Sequence, residues 1–320
     1  MKKPSPIVSY LVGIGAAILF GMNGVIIKLF MEGTGFTGVQ VTLFRVMGAG
    51  LIMGLVLSIR SPRELIVPRR SILPTIAMGI FGLATLQATY AYAVYLLPVG
   101  IALLIEYTAV LAVALIAHFF FKEHIKPRIW WAIVLVLGGL ATVAEVWETS
   151  LNFEGVLWAI GASASLTTYF VLGESQTGTM KPMAVGFWTM LVASVFWAVL
   201  TDWSKIDWSA LGNIVPFSGY ETGPAGPAWF LLFFIIVIGT FATFAMSLYA
   251  LSGLKATQAG IVATSEVLFA FLAAFLLIGE TLNLVQLIGA ATVLVGVIFA
   301  QTSRTNHSVD ADLALTVSKK

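Results

Sequence analysis

Apolar residues run along this chain in ten long stretches, separated mostly by short polar or glycine- and proline-containing breaks. A helix that crosses a bilayer needs about 20 mainly apolar residues, and each stretch is close to that length. The stretches cover residues 8–30, 37–59, 72–96, 100–121, 128–147, 154–173, 183–202, 229–252, 257–278 and 284–303. They are continuous rather than alternating, which excludes a membrane β-barrel. The pattern predicts an all-α integral membrane protein of ten transmembrane helices.

The breaks between the stretches also carry information. Residues 97–100, Leu-Pro-Val-Gly, form a tight break, so the third and fourth helices should be antiparallel neighbours. Residues 203–228 form the one long loop, for which we predict only a short interfacial turn around Trp203 and Trp208. Residues 304–320 are polar and predict a disordered tail.

Composition agrees with lipid as the solvent of this chain. Hydrophobic residues make up 59% and charged residues 10%, whereas soluble domains are about 45–50% apolar and about 25% charged. The chain has no cysteine, which excludes disulfides, thiolate metal sites and cysteine nucleophiles.

The basic residues predict the orientation of the chain in the membrane. If the N-terminus is cytoplasmic and the spans alternate, 14 of the 17 Lys and Arg residues fall on the cytoplasmic side. These are Lys2, Lys3, Arg60, Arg63, Arg69, Arg70, Lys122, Lys126, Arg128, Lys181, Lys255, Arg304, Lys319 and Lys320. Lys205 falls outside, and Lys28 and Arg45 lie within spans. We therefore expect a plasma-membrane protein with both termini in the cytoplasm.

The two halves of the chain resemble each other. Gly100-Ile101 precedes Glu106 as Gly260-Ile261 precedes Glu266, and each glutamate is followed by a run of small and apolar residues. Five helices per half is an odd number, so the second half enters the membrane from the opposite side. This is an inverted repeat, a common plan of secondary transporters with a site between the halves. We predict repeats at 1–150 and 151–303, followed by the 304–320 tail.

Glu106 and Glu266 each lie within an otherwise uncharged span. An ionised side chain at the bilayer centre costs about 2.5–3.5 kcal/mol on insertion scales, so such residues face a cavity or a partner. One interpretation is a structural glutamate that joins two helices through small neighbouring residues. The other is a substrate or proton site. Lys28 and Arg45 are the natural counter-charges, although Lys28 is close enough to a helix end to reach the interface.

Further polar side chains fall on the faces of several spans. The candidates for a weakly polar cavity lining are Asn23, Gln87, Tyr90, Ser165, Thr168, Tyr169, Thr240 and Thr243. The alternative for each hydroxyl is a hydrogen bond back to its own helix.

Enzyme classes find little support in the sequence. The histidines, His118, His124 and His307, have no metal-site spacing, and no phosphate-binding glycine loop is present. We expect no catalytic residue, no metal, no cofactor and no nucleic-acid partner.

Several of these features together resemble the drug/metabolite transporter superfamily, in its EamA-type branch. They are the five-plus-five inverted repeat, Asn23 and Lys28 in the first helix, Arg45 in the second, and Gly279-Glu280 after the ninth. The stretch 97–115 is similar to the fourth helix of the threonine and homoserine exporters of that superfamily. The resemblance covers residues 8–303. The sequence departs from the family pattern at the 203–228 loop, which is longer than expected. It implies efflux of amino acids or related metabolites.

We therefore expect a secondary transporter that exports a small polar or amphipathic, amino-acid-like solute by alternating access. Our hypothesis for energy coupling is that Glu106, Glu266 or both carry a proton that exchanges with the solute. The alternatives are a non-transporting membrane receptor or scaffold, and a transporter of drugs, nucleobases or sugar derivatives. The sequence leaves the oligomeric state undetermined.

Overall fold

The predicted helices are present in the computed structural model, which describes residues 5–120, 126–143, 151–176, 179–220, 223–254 and 256–302. Nine helices in these residues are long and apolar enough to cross a membrane, and Arg128–Val143 is a shorter apolar helix. They are α1 (Pro6–Thr34), α2 (Gly38–Arg60), α3 (Arg69–Leu96), α4 (Val99–Phe119), α5 (Arg128–Val143), α6 (Phe153–Gln176), α7 (Pro182–Leu200), α8 (Ala228–Phe233, Phe234–Ala242 and Thr243–Gly253), α9 (Ala256–Ile278) and α10 (Leu284–Gln301). The ten-helix prediction is confirmed. The predicted 304–320 tail and part of the fifth span, 144–147, lie outside the described residues.

Helix packing follows the relation expected of an inverted repeat. α1 packs against α8 and α9, and the corresponding helix of the second half, α6, packs against α3 and α4. The two remaining pairs, α2 with α7 and α5 with α10, join equivalent helices of the two halves. Each half therefore presents equivalent surfaces to the other.

Individual contacts repeat in the same way. Gly239 of α8 lies directly against the amide of Asn23 on α1, so that a Cβ at this glycine would overlap the amide. In the corresponding contact, Gly82 of α3 lies against Tyr169 of α6, with 3.1 Å between a Cβ built on the glycine and the tyrosine Cα. Each half therefore needs a glycine where this helix crosses its neighbour, and the residue opposite is polar in both cases.

The α5–α10 contact also depends on glycine. A Cβ at Gly289 would lie 2.7 Å from the backbone nitrogen of Val143 and 2.9 Å from the carbonyl oxygen of Gly139. Small residues let helix backbones approach in lipid, where packing rather than the hydrophobic effect drives association.

Two helices contain π-helical turns at corresponding positions, Met78–Ala84 in α3 and Phe234–Ala242 in α8. Such turns displace backbone carbonyls from the regular ladder, and in a membrane other groups must satisfy them. The indole of Trp197 donates to the Ala84 carbonyl at 3.0 Å, and the Thr240 hydroxyl donates to the Ile235 carbonyl at 2.7 Å. Side chains within the bundle thus satisfy a carbonyl of each irregular turn.

α4 is interrupted at Tyr107 and Thr108, between Val99–Glu106 and Ala109–Phe119. The Thr108 hydroxyl donates to the Ile105 carbonyl at 2.7 Å. Backbone bonds of three-residue spacing span the break. Glu106 therefore ends the first segment of the helix, beside an irregular turn.

The 203–228 loop is more ordered than the sequence predicts. It holds two 3-10 turns, Trp203–Lys205 and Trp208–Gly212, and an antiparallel ribbon of Ile214–Pro216 with Ala225–Pro227. The loop contains Pro216, Pro224 and Pro227. Because proline cannot donate a ladder hydrogen bond, these residues favoured an irregular loop over strands. A two-stranded ribbon has only edge strands, where proline is tolerated, so the prediction of no regular structure beyond a turn was wrong.

Aromatic and apolar contacts hold this loop on one end of the helix bundle. Trp203 and Trp208 contact the ring of Phe44 on α2, with centroids 6.5 and 5.6 Å apart. Val215 of the ribbon packs against Gly33 near the end of α1. The loop therefore covers the end of the bundle at which α1 finishes.

Candidate functional site

Ionisable side chains from both halves come together inside the bundle: Arg45 of α2, Tyr90 of α3, Glu106 of α4 and Glu266 of α9. The Arg45 charge interacts electrostatically with the other three. Arg45 is 3% exposed and Glu106 is 9% exposed, so water screens these interactions weakly. Three of the predicted site residues on separate first-half helices thus meet one from the second half. We call these four residues the central cluster.

Arg45 is oriented by a hydrogen bond rather than by an ion pair. Its Nε donates to the hydroxyl of Thr240 on α8 at 2.7 Å. None of the ion pairs between described residues joins it to Glu106 or Glu266. Arg45 therefore acts as the expected counter-charge of Glu106 without forming a salt bridge to it.

Glu266 has a partner that the sequence reasoning missed. The Tyr107 hydroxyl lies 2.9 Å from Glu266 Oε2 and 3.1 Å from the Ala263 carbonyl oxygen, so its one proton is shared between these two acceptors across the interface of the two halves. Tyr107 directly follows Glu106 in the chain, and this adjacency could have identified it as a site residue. Backbone contact is close here, since a Cβ at Gly21 would lie 2.8 Å from the Glu266 carbonyl.

Several buried polar atoms around the central cluster have no hydrogen-bond partner among the described residues. They are both amide atoms of Asn23, the Tyr90 hydroxyl, Glu106 Oε2 and the Thr42 hydroxyl. Most buried polar groups in native proteins are paired, and leaving one unpaired costs about 1–3 kcal/mol. Ligand pockets carry a small number of placed polar groups, so these unpaired atoms beside an arginine and two glutamates are candidates to bind a polar ligand.

Lys28 lies elsewhere and has a different partner from the one expected. Its Nζ is 2.6 Å from Glu280 Oε1 and 3.4 Å from the Leu97 carbonyl. The other Glu280 oxygen accepts the Val99 backbone N–H at 3.1 Å. Lys28 is therefore not a counter-charge of Glu106 or Glu266. Lys28 and Glu280 fall at the same predicted end of the bundle, so the predicted topology is compatible with this pair.

The remaining predicted site residues do not hydrogen-bond to the side chains of the central cluster: Gln87, Ser165, Thr168, Tyr169 and Thr243. Thr168 donates to the Ala164 carbonyl at 3.0 Å and Thr243 to the Thr240 carbonyl at 3.1 Å, each within its own helix. Ser165 donates to the Thr85 hydroxyl at 2.9 Å and so joins α6 to α3. The alternative of local hydrogen bonding thus accounts for two of these hydroxyls.

A surface groove lies against α9 and α10, and none of the central-cluster side chains lines it. Its volume is about 520 Å³, and apolar side chains of α9 and α10 line most of it. Leu272 and Leu287 in its wall are half-exposed, as expected of a surface in contact with lipid. Within the described residues, no group of His, Asp or Glu side chains could hold a metal ion.

The comparison with known proteins decides the family. The model of the EamA-like transporter family matches the chain twice, over residues 7–144 and 153–302. The chain belongs to this family. The two matches correspond to the two halves seen in the helix packing.

Individual relatives of this EamA-like chain are distant. The threonine/homoserine exporter RhtA of Salmonella typhimurium is 23% identical over 226 residues, which cover 69% of this chain and 68% of that protein. The uncharacterized inner membrane transporter YicL of the same species is 24% identical over 293 residues, 88% and 91% of the two chains. An uncharacterized transporter of Archaeoglobus fulgidus is 26% identical over 285 residues, 89% and 93%.

A solved crystal structure of a protein superposes with a TM-score of 0.55 at 17% identity, covering 98% of this chain and 99% of its own. This likeness shows the fold alone. Family membership and apolar helices make the EamA-like chain a multi-pass membrane transporter of a small-molecule solute.

Proposed function

We propose that this transporter exports an amino-acid-like solute across the plasma membrane by alternating access, with the central cluster as its binding site. The observation that carries the proposal is that buried Arg45, hydrogen-bonded at 2.7 Å to Thr240 of the second half, lies close enough to Glu106 and Glu266 to interact with their charges. A site shared by both halves can be reached from either side when they rock against each other.

The chemistry of the central cluster suits a zwitterion. An arginine guanidinium has five N–H donors in a geometry that matches a carboxylate. In this site only Nε is engaged by a described residue, Thr240. A carboxylate lacking a donor, as Glu106 Oε2 does, can accept hydrogen bonds from a primary ammonium group. Opposite charges placed on two sides of one space would orient a small amino acid.

The two glutamates are not equivalent, although they occupy similar positions in the repeat. Glu266 is held by the Tyr107 hydroxyl, whereas one oxygen of Glu106 has no partner among the described residues. We assign the contact with the solute ammonium to Glu106 and the anchoring of the site to Glu266. Either carboxyl could carry the exchanged proton of the coupling hypothesis.

Drugs, nucleobases and sugar derivatives remain the alternative solutes, and flux measurements distinguish them. The purified protein is reconstituted into vesicles loaded with labelled amino acids, among them threonine and homoserine, and with neutral members of the other classes. We expect efflux of amino acids and little movement of neutral sugars. Efflux confined to uncharged solutes would contradict the zwitterion site.

Energy coupling is tested with the variant Glu106→Gln/Glu266→Gln. If these carboxyls carry the proton, this double variant should lose the dependence of flux on a pH gradient while keeping part of the solute exchange. A double variant that still pumps against a gradient with normal pH dependence would exclude the coupling hypothesis.

The predicted orientation is tested independently. The chain has no cysteine, so single cysteines can be introduced without removing others. Labels placed after Arg70 and after Pro216 should be reached from opposite sides of the membrane. Labelling of both from one side would refute the predicted topology.

A further inference from the structure

Thr240 lies within the π-helical turn of α8 and accepts a hydrogen bond from Arg45 of α2. The residue is 1% exposed. Its hydroxyl donates to the Ile235 carbonyl at 2.7 Å and accepts a hydrogen bond from Arg45 Nε at 2.7 Å. A hydroxyl has one proton to donate. Because that proton is used by the carbonyl, a lone pair is left to face the guanidinium, and the direction of the bond to Arg45 is set by the backbone of α8.

The rest of the guanidinium is not held in this way. Among the described residues, Thr240 supplies the only hydrogen bond to Arg45, and it engages Nε alone. The two Nη groups are thus left for another partner. The nearby charges of Glu106 and Glu266 act on the guanidinium without a direct ion pair.

The crossing that the repeat relates to this one, that of α3 with α7, lacks this arrangement. Gly48 of α2 packs on Ile236 of α8 just as Gly79 of α3 packs on Val192 of α7, so the two helix crossings are equivalent. α3 carries Arg69 and Arg70 in its first turn, about ten residues before Gly79, and among the described residues no arginine hydrogen-bonds across the crossing of α3 with α7. The hydrogen bond between Arg45 and Thr240 therefore distinguishes one half from the other at the site between them.

We propose that Thr240 is a positioning residue: it holds Arg45 through Nε and so presents both Nη groups to the carboxylate of the solute. This rests on the proposed function, in which Arg45 binds that carboxylate. Thr240 then sets how strongly an acid is preferred over an otherwise identical solute that lacks the carboxylate.

The test uses Thr240→Val, which keeps the shape of the side chain and removes both hydrogen bonds. Thr243→Val is the matched control. Thr243 is fully buried one turn away, and among the described residues its hydroxyl bonds only to carbonyls of its own helix, Thr240 at 3.1 Å and Ile238 at 3.4 Å. Thr240→Ser keeps the hydroxyl and should retain the function that Thr240→Val loses.

The readout is inhibition of labelled L-threonine flux in reconstituted vesicles by unlabelled L-threonine and by L-threoninamide, which has no carboxylate. A hydrogen bond to a charged group changes an equilibrium constant by about tenfold or more. We expect Thr240→Val to raise the KM for threonine about tenfold with little change in maximal rate, and to reduce the preference for acid over amide by a similar factor. Thr243→Val and Thr240→Ser should stay within about twofold of the wild type.

Equal effects of Thr240→Val and Thr243→Val on the acid-over-amide preference would overturn the role of Thr240 and leave the proposed function intact. A wild type that shows no preference for the acid, or that moves no amino acid, would overturn the carboxylate contact on which both proposals rest. Should Thr240→Val not fold, Thr240→Ala replaces it. In an Arg45→Lys background either substitution should add no further loss of preference, because the Nε donor is gone; a further loss there would also contradict the proposal.

Discussion

The ion pair of Lys28 with Glu280 offers a quantitative prediction about how the two halves are held together. Lys28 lies on α1, in the first half, and Glu280 follows α9, in the second. One carboxylate oxygen is 2.6 Å from Lys28 Nζ, and the other accepts the Val99 N–H at the start of α4 at 3.1 Å. A negative charge at a helix N-terminus is also stabilised by the helix dipole.

The magnitude follows from the exposure of the pair. Hydrogen bonds to charged groups contribute about 1.5–3 kcal/mol, and fully exposed pairs contribute about 0–1 kcal/mol. The two side chains are 17% and 20% exposed, between these limits. We therefore expect Lys28→Met and Glu280→Gln each to lower the free energy of unfolding by about 1–2 kcal/mol. Glu280→Ala should cost more, because the Val99 N–H also loses its acceptor.

The assay is a double-mutant cycle on the purified protein in a single lipid or detergent system, measured by reversible unfolding in denaturant. Lys28→Met/Glu280→Gln should cost less than the sum of the single variants, with a coupling free energy of about 1 kcal/mol. Lys205→Met is the control, since its partner Asp202 is exposed and the pair is solvated, and it should cause no measurable change.

Additive single variants would refute this reasoning, because they would mean that the two charges do not stabilise each other. An equal loss on Lys205→Met would refute it as well, since burial would then not matter.

Two further predictions concern other contacts. The hydrogen bond from Lys181 holds the pKa of Glu64 below its usual value. The stabilisation is therefore present above the pKa that Glu64 has in the unfolded chain, and is lost as pH falls through its pKa in the folded protein. Lys181→Ala should thus cost under about 1 kcal/mol at pH 7 and nothing once Glu64 is protonated, as unfolding at several pH values would reveal; a cost that persists in acid would contradict this. Gly289→Ala should cost about 1–3 kcal/mol in an unfolding measurement, because its Cβ would meet the Val143 backbone. Gly138→Ala, whose Cβ would meet nothing within 4 Å, should be neutral, and equal losses would argue against the close helix contact.

The helices and the charges inside them were accessible from the sequence, because both depend on composition over a window of residues. An apolar run long enough to span lipid has few other uses, and Arg45, Glu106 and Glu266 stood out since each interrupts such a run. The repeat also predicted a site between the two halves. Their association with Arg45 follows from helix packing that local patterns do not encode.

Other features depend on contacts between distant segments. The carbonyls displaced by the π-helical turns are satisfied by Thr240 within α8 and by Trp197 from α7, and no local pattern in α3 or α8 marks those turns. From the sequence alone, Lys28 is interpreted as a residue that reaches the interface. The packing of α1 on α9 brings Glu280 beside it. Tyr107 was overlooked because tyrosine is common in membrane helices, and only its hydrogen bond to Glu266 distinguishes it from a packing residue.

The measurement that tests the central claim most directly is solute counterflow through Arg45 variants. Vesicles containing the purified protein are loaded with unlabelled threonine and diluted into labelled threonine, so that uptake reports exchange through the site without any coupling ion. The wild type and the control Thr243→Val should accumulate label, whereas Arg45→Gln should accumulate none above empty vesicles while remaining folded. Counterflow by Arg45→Gln equal to that of the wild type would show that the solute does not bind at the central cluster.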